Sequence, residues 1–299
     1  TRYGTVTGVQ TCALPILNNY TNPIMATITA FRMDGLGNDF LIIDRREKNI
    51  HFSKEKIIEL ADRKKIGFDQ IIFLEKEENN TTPILIFNSD GNEVAACGNG
   101  TRCVSYLLGK EKNLNNILLK TTERTLDTEI VGNLTVRVNM GKPLFDWTQI
   151  PLSKKLDHKN INIEIIDTKN NKFNEGFALN VGNPHLIFFV KNCFDFNLRE
   201  LGPKLEHNEL FPEQCNVTLA QVVNKNNITV NVWERSAGLT KACGTAACAT
   251  AVASFLKNLT ERNCNIKFKE GILNINFDEN ENIYMTGPVS DIKKIDINI

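Results

Sequence analysis

Cys97 and Cys243 occupy near-equivalent settings in the two halves of a 299-residue chain, the first in Ala96-Cys97-Gly98 and the second in Ala242-Cys243-Gly244. Each follows an apolar run of strand character (Pro83-Ile-Leu-Ile-Phe87; Ile228-Thr-Val-Asn-Val-Trp233) and then a polar loop. A helical pattern begins at the glycine in both copies, over residues 98–108 and 244–256. Each thiol is therefore expected at a helix start, where unpaired backbone N–H groups and the positive end of the helix dipole favour a thiolate and lower the cysteine pKa. Two such thiols facing one substrate make a symmetric acid/base pair. One removes a weakly acidic hydrogen from one face of a carbon, and the other returns a proton to the opposite face. Negative charge that develops on a neighbouring carboxylate then needs preorganised donors, which two helix starts supply.

The elements that must position these thiols are legible as strands and helices in an α+β order. Apolar strands (Leu41-Ile-Ile43; Gln70-Ile-Ile-Phe-Leu74; Leu134-Thr-Val-Arg-Val138) are broken by Gly, Asn and Asp turns, and a further helical pattern covers residues 53–64. Regular βαβ alternation is absent. Met140-Gly-Lys-Pro143 is the best internal boundary and Gly287-Pro288 a second break. Residues 154–174, rich in Asn, Lys, Asp and Ile, are expected to form exposed strands and loops without chemistry. Gly35-Leu-Gly37 lacks the third glycine and the strand-turn-helix setting of a nucleotide fingerprint, and is expected to form the tight turn that presents Asn38.

Composition narrows the function classes. The chain is 41% hydrophobic and 23% charged, long enough for two compact domains, and its 35 basic and 35 acidic residues cancel. Without a Lys/Arg-rich run, nucleic-acid and anionic-membrane partners are disfavoured. Apolar runs such as Leu186-Ile-Phe-Phe-Val190 are too short to span a bilayer. The eight cysteines (Cys12, Cys97, Cys103, Cys193, Cys215, Cys243, Cys248, Cys264) are spread along the chain with no signal-peptide pattern before them, which points to a reducing cytoplasm. Residues 1–24 do not pattern like the rest and are read as a non-native or unprocessed extension, with Met25 as the start. A zinc site from Cys97, Cys103, Cys243 and Cys248 is disfavoured, because five and four residues separate the pairs and a helical setting points the partners apart.

Met33-Asp-Gly-Leu-Gly-Asn-Asp-Phe40, Phe68-Asp-Gln70, Asn88-Ser-Asp-Gly91, Cys97-Gly-Asn-Gly-Thr-Arg-Cys103, Gly182-Asn-Pro-His185, Glu234-Arg235, Ala242-Cys-Gly-Thr245 and Met285-Thr-Gly-Pro288 follow one another in an order and spacing that resembles the diaminopimelate epimerases. The resemblance covers essentially residues 25–299. It implies an α+β fold of two similar domains, each a β-sheet or barrel wrapped around a central helix, with the active site in the cleft between them. Residues 25–141 plus 288–299 would form the N-terminal domain carrying Cys97, and residues 142–287 the C-terminal domain carrying Cys243. The implied activity is that of a cofactor-independent, pyridoxal-phosphate-independent isomerase. It interconverts LL- and meso-2,6-diaminopimelate in lysine and peptidoglycan-precursor biosynthesis, as a cytoplasmic homodimer, with no metal and a small molecule as its partner.

By resemblance, Cys97 and Cys243 are the catalytic pair, with Cys243 the acceptor and Cys97 the donor in the LL-to-meso direction. His185 and Glu234 are expected to assist, His185 near the reacting thiols. Asn38, Gln70, Asn88, Gly98, Asn99, Asn183, Asn216, Glu234, Arg235, Gly244 and Thr245 are expected to bind substrate, and Tyr284 to lie near the dimer contact. The residue types suit a zwitterionic ligand, since amides offer donors and an acceptor, Arg235 can grip a carboxylate with its planar fork, and Glu234 can receive an ammonium. Each has an ordinary alternative. A lone cysteine is most often a small buried hydrophobe, which is how Cys103, Cys193, Cys215, Cys248 and Cys264 are read, and loop Asn and Gln are commonly turn formers. His51, His158 and His207 have no motif around them and are expected at the surface. Two positions depart from the family pattern: Ser89 stands where Ala is common and Ala246 where Gly is frequent. The competing functions are a proline or hydroxyproline racemase or a phenazine-type isomerase of the same fold, and a non-catalytic amino-acid-binding relative. The first two lack the combined Asn38, Gln70 and Glu234-Arg235 set, and the last would have lost a thiol.

Overall fold

A computed structural model describes residues 27–48, 50–95, 97–163 and 174–298. The expected extension over residues 1–24, its boundary at Met25, and residues 164–173 of the Asn-rich stretch lie outside the described residues.

The first half runs β1 (Thr27–Gly35), β2 (Asn38–Asp44), α1 (Lys54–Ala61), β3 (Gln70–Leu74), β4 (Thr81–Asn88), β5 (Glu93–Val94), α2 (Gly98–Lys112), β6 (Asn116–Lys120), β7 (Thr125–Gly132) and β8 (Thr135–Asn139). The second half runs β9 (Phe177–Asn180), β10 (Pro184–Phe189), α3 (Leu198–Glu206), β11 (Asn216–Asn224), β12 (Asn227–Glu234), β13 (Gly238–Leu239), α4 (Gly244–Leu256), β14 (Asn263–Phe268), β15 (Gly271–Phe277) and β16 (Ile283–Pro288), and the chain ends on β17 (Lys293–Asn298). The two runs are the same run. A hairpin (β1–β2; β9–β10) leads through an outer helix to a strand parallel to the hairpin's second strand (β3; β11), then to an antiparallel strand (β4; β12). A short strand, an inner helix, and a three-strand meander whose first strand is parallel to β4 or β12 complete each copy. The α+β class with two similar units around central helices is what the sequence led us to expect.

The copies are stitched together symmetrically. β8 and β16 pair antiparallel, from Tyr284 opposite Asn139 to Pro288 opposite Thr135. The chain beyond β16 crosses to the first half as β17 on β1, and the chain beyond β8 reaches the second half at the Leu144–Asn180 bridge.

Period-two burial explains the strands and their two-faced packing. β4 and β12 both read intermediate–buried–intermediate–buried, with Ile84 and Ile86 or Ile228, Val230 and Val232 inward. α1 is a short outer helix capped by Ser53, whose Oγ accepts from the Lys56 N–H at 3.2 Å, and it buries Ile57 and Leu60 against Leu41, Ile43 and Phe73. α4 is different: Ala246, Ala247, Cys248, Ala249, Ala251, Val252 and Ala253 are all at most 2% exposed. A helix with no polar face must be enclosed on every side, and small side chains let strands approach closely. α3 was not foreseen. Leu198, Leu201 and Leu205 have helical spacing, but Gly202-Pro203 reads as a break; the helix keeps the proline, and a side chain at Gly202 would run into the Trp233 indole. In the stretch expected to be exposed, Ile161 and Ile163 are instead buried in the α3-side core, Ile161 bridging to Gly176.

Because α4 is closed in by neighbouring strands, Ala247→Leu should lower stability by about 1–3 kcal/mol, the usual cost of overpacking. Chemical denaturation should show a lower midpoint at unchanged slope. An unchanged midpoint would mean that the space around α4 is not filled.

Candidate active site

Both thiols serve as the N-cap of an inner helix. Cys97 (φ −145°, ψ 109°) and Cys243 (φ −136°, ψ 116°) have nearly the same backbone conformation. Each Sγ accepts from the N–H three residues on, Gly100 or Ala246, at 3.4 Å. The helices meet end to end: a Cβ on Gly98 would lie 4.0 Å from the Gly244 Cα, and one on Gly244 3.8 Å from the Gly98 Cα. Either Cβ would also press on Met285, at 2.9 Å, so glycine after each cysteine is what permits the approach. Cys103 and Cys248 are fully buried inside the helices.

The expected lowering of the thiol pKa does not occur. Burial pushes the Cys97 thiol above its ordinary value and outweighs the Gly100 N–H and the Arg102 charge, while the Glu234 carboxylate raises it further. Burial raises Cys243 well above the ordinary range, again reinforced by Glu234, with the Thr245 hydroxyl and Ala246 N–H opposing. Glu234 itself is raised by burial, with Thr240 and Cys243 hydrogen-bonding its charged form. Desolvation wins over two helix dipoles because a thiolate loses more solvation here than one orphan N–H returns.

A cleft of about 350 Å³ opens beside the helix starts and is lined by Gly98, Thr101, Thr245, Glu234, Arg235, Asn183 and Asn216. The second half supplies a connected polar group. Asn216 Nδ2 donates to the Pro184 carbonyl at 3.0 Å and its Oδ1 accepts from the Arg235 N–H at 3.0 Å. The Arg235 Nη1 donates to the Glu213 carbonyl at 3.0 Å. His185 pairs with Asn216 in register and is completely buried. Its Nε2 lies 2.8 Å from Asn183 Oδ1; an amide oxygen only accepts, so Nε2 carries the hydrogen and Nδ1, which is buried and has no hydrogen-bond partner among the described residues, is a bare acceptor. Burial, aided by Arg235, holds the imidazole pKa down at about 3, so the ring is neutral. The polar contact of His185 goes to Asn183, which lines the cleft.

Asn38, Gln70 and Asn88 form a second group where β2, β3 and β4 begin or end. Gln70 pairs with Asn88 in register and donates to its Oδ1 at 2.8 Å, leaving Gln70 Oε1 a buried acceptor without a partner among the described residues. The turn before Asn38 forms as expected, with Leu36 (φ 63°) and Gly37 (φ 83°) both left-handed and Asp34 Oδ1 accepting from the Gly37 N–H at 3.0 Å. Asp39 and Asp69 lock β2 to β3 by accepting each other's N–H at 3.1 Å. Burial raises the Asp39 pKa, but hydrogen bonds from Arg63 and Arg32 bring it down to about 2. A Cβ on Gly35 would touch Asn99 O at 3.0 Å and Cys103 Sγ at 3.3 Å, so this hairpin rests directly on the start of α2.

Several neighbours were not anticipated. Arg102 is completely buried, and its Nη2 donates to Asn99 Oδ1 at 3.0 Å. Glu206, on the unforeseen α3, accepts from Trp233 Nε1 at 2.7 Å and from the Ser236 N–H at 2.8 Å, bracing both flanks of Glu234-Arg235. Glu123 and Arg124 line the cleft from the turn between β6 and β7. Only the Arg102 position lay inside a recognised motif. Tyr284 sits half-buried on β16 with the Arg137 guanidinium 5.9 Å from its ring centre. No helix among the described residues is long and apolar enough to cross a membrane.

The family model described as "Diaminopimelate epimerase" matches residues 30–145 and again 177–292. The chain belongs to the diaminopimelate epimerase family. It is 53% identical to the diaminopimelate epimerase of Pelagibacter ubique over 272 residues, covering 91% of this chain and 99% of that one. It is 40% identical to that of Wolbachia sp. subsp. Brugia malayi, covering 89% and 99%. Solved structures similar in fold include a Bacillus anthracis phenazine biosynthesis protein of the PhzF family (TM-score 0.64, 18% identity, 92% of this chain and 100% of that one). Another is a hydroxyproline epimerase from Agrobacterium vitis (TM-score 0.61, 10% identity, 91% and 93%). At those identities the likeness is one of fold, and the diaminopimelate epimerase family, rather than either rival, holds the sequence. The two matched segments coincide with the two structural copies.

Glu206→Ala should strip the acceptor from a buried indole N–H, costing about 1–3 kcal/mol, and should shift Trp233 fluorescence. Wild-type stability and emission in this variant would show that Glu206 braces nothing. His185 makes stability pH-dependent: its folded pKa of about 3 lies below the ordinary 6.5, so only the unfolded chain gains a proton on first acidification. Stability should be full above pH 6.5 and fall towards pH 3, and His185→Gln should flatten that fall. Equal slopes in both proteins would contradict the assignment.

Proposed function

We propose that the chain is a cofactor-independent epimerase interconverting LL- and meso-2,6-diaminopimelate, with Cys97 and Cys243 as its two bases. One observation carries this reading: two thiols with the same N-cap geometry stand on helices whose starts touch, beside a cleft whose far side is amide, carboxylate and guanidinium. A thiolate takes the α-hydrogen as S–H, the electron pair left on carbon is delocalised into the α-carboxylate, and the opposite thiol gives its proton to the other face and becomes the thiolate. Gly98, Asn99, Gly244 and Thr245 offer first-turn N–H groups to that carboxylate. Cys243 is the acceptor and Cys97 the donor in the LL-to-meso direction, and the reverse reaction exchanges them. Glu234 assists by exchanging charge with Cys243, and His185 by fixing Asn183. Asn38, Gln70, Asn88, Asn183, Asn216 and Arg235 hold the remaining amino-acid groups.

The domain division we favour is residues 25–141 with 288–299 around α2, and residues 142–287 around α4. We further infer a homodimer with Tyr284 at its contact, a cytoplasmic location, and a role in lysine and peptidoglycan-precursor biosynthesis. The family assignment and the exposed side of the β8–β16 ribbon are consistent with these readings.

Incubation with LL-diaminopimelate in deuterium oxide, without added cofactor, tests the mechanism. Early meso product should carry deuterium at the inverted centre while unreacted LL substrate stays largely protium, because each thiol holds a single proton. Cys97→Ala and Cys243→Ala should each lose about two to four orders of magnitude in rate, while Cys103→Ala and Cys248→Ala retain substantial turnover. Mostly protium in early product, or wild-type turnover in Cys97→Ala, would sink the two-thiol mechanism.

A further inference from the structure

We propose that Arg124 is a second guanidinium for the distal carboxylate of the substrate and sets the preference for a dicarboxylate over a monocarboxylate amino acid. This rests on the epimerase reading of the cleft. Arg124 lies in the turn between β6 and β7, and its backbone is fixed there: the Thr121 Oγ1 accepts its N–H at 3.2 Å and its carbonyl accepts the Thr121 N–H at 2.9 Å. The side chain reaches from this first-half turn towards the second half. Nη1 donates to the Met140 carbonyl at 2.6 Å. A Cβ on Gly141 would lie 3.5 Å from Nη1 and one on Gly182 3.9 Å from Nη2, so the guanidinium lies between two left-handed glycines (φ 77° and 107°) next to Asn183.

That placement leaves a cation without an anion. Among the described residues no carboxylate forms an ion pair with Arg124, and its Nη2 and Nε make no hydrogen bond, although burial depresses its pKa. The exposed carboxylate of its neighbour Glu123 acts on it through its charge, raising its pKa, without forming an ion pair. A half-buried guanidinium that is desolvated without an anion is costly unless an anion arrives. Arg124 shares the cleft with Arg235, Asn183 and Asn216, and Arg235 likewise has only a carbonyl on its side chain. Two guanidinium forks in one cleft suit a carboxylate with two oxygens to place. The carboxylate next to the reacting carbon already has two helix starts, so the one left for Arg124 is the distal one. An alternative, that Arg124 merely pins its turn to the chain beyond β8 through Met140, predicts a general loss of stability and no discrimination between ligands.

Arg124→Gln and Arg124→Lys in the full chain separate these roles. For LL-diaminopimelate, Arg124→Gln should raise KM by roughly ten- to a hundredfold, the size of a charge-assisted hydrogen-bond pair, with a much smaller change in kcat. Calorimetric titration with L-2-aminopimelate, which has both carboxylates, should weaken in parallel. L-Lysine, which lacks the second carboxylate, should bind wild type and variant alike. Arg124→Lys should recover part of the loss, since it keeps the charge but not the fork. Wild-type affinity of Arg124→Gln for L-2-aminopimelate, or equal weakening of L-lysine, would overturn the proposal. Because the titration needs no turnover, a wild type inactive on LL-diaminopimelate would sink the epimerase reading by a separate result.

Discussion

Two helix starts that touch repel each other, and the site is organised around that repulsion. Each start carries roughly half a positive charge in its unpaired N–H groups, so bringing Gly98 and Gly244 close enough that a Cβ on either would contact the other's Cα concentrates positive potential in one small volume. Glycine at both positions is the steric condition for the approach, with Met285 filling the remaining gap. The electrostatic condition is an acceptor at each N-cap, which the sulfurs supply, and, on the epimerase reading, an anion between them in the form of a substrate carboxylate. Sulfur as N-cap also fixes where the reacting atom sits, because the bond to the third N–H leaves Sγ at the mouth of the helix. The strand ribbon of β8 and β16 holds the two helices in this opposition from behind.

The duplicated framework is symmetric where the chemistry is symmetric and asymmetric where recognition must be. In the first copy the turn residue Asn38 leads to Phe40 opposite Gln70, and Gln70 lies opposite Asn88. In the second, Asn183 leads to His185 opposite Asn216, and the strand antiparallel to Asn216's own strand ends in Glu234. The paired positions thus keep an amide twice (Asn38 and Asn183, Gln70 and Asn216), but set His185 against Phe40 and Glu234, with Arg235 beside it, against Asn88. Two thiols need equivalent environments to exchange roles, whereas a substrate inverted at one end only must be told which end is which. The braces follow the same division: Asp39 and Asp69 clamp the amide side, and Glu206 clamps the charged side.

What was legible in the sequence is what local pattern specifies. α4 is a run of small apolar residues starting at the glycine after Cys243, and it forms over the residues that pattern marks. α2 begins at Gly98 as expected and extends past residue 108, because Asn113 closes it in the left-handed conformation. The turn at Leu36-Gly37 is equally local. α3 was hidden because its decisive contact is distant: Gly202 is there for the Trp233 ring, not for a turn. Ile161 and Ile163 were misjudged for a related reason, since polar neighbours masked residues that another strand buries. Arg124 has no local signature at all, because its meaning arises only when the β6–β7 turn meets Gly182 across the cleft.

The thiols show why reading the dipole alone misleads. A helix start lowers a cysteine pKa when the sulfur stays near solvent; here burial dominates and raises both, and Glu234 adds like charge beside them. On the two-base reading this is a useful state of rest. A protonated pair is a poor nucleophile and a poor target for oxidation, since both reactions need thiolate. Glu234 makes the ionisation of both thiols harder, while Arg102 eases that of Cys97 and the Thr245 hydroxyl that of Cys243. Glu234 acts on Cys97 through its charge and on Cys243 through both its charge and a hydrogen bond. On the same reading a zwitterionic ligand changes that balance: its carboxylate would occupy the helix starts, while an ammonium beside Glu234 would cancel the charge that adds to burial in raising both thiols. Binding and activation are then the same electrostatic event, which is how a site without a cofactor can keep its bases quiet until the acid they must deprotonate has arrived.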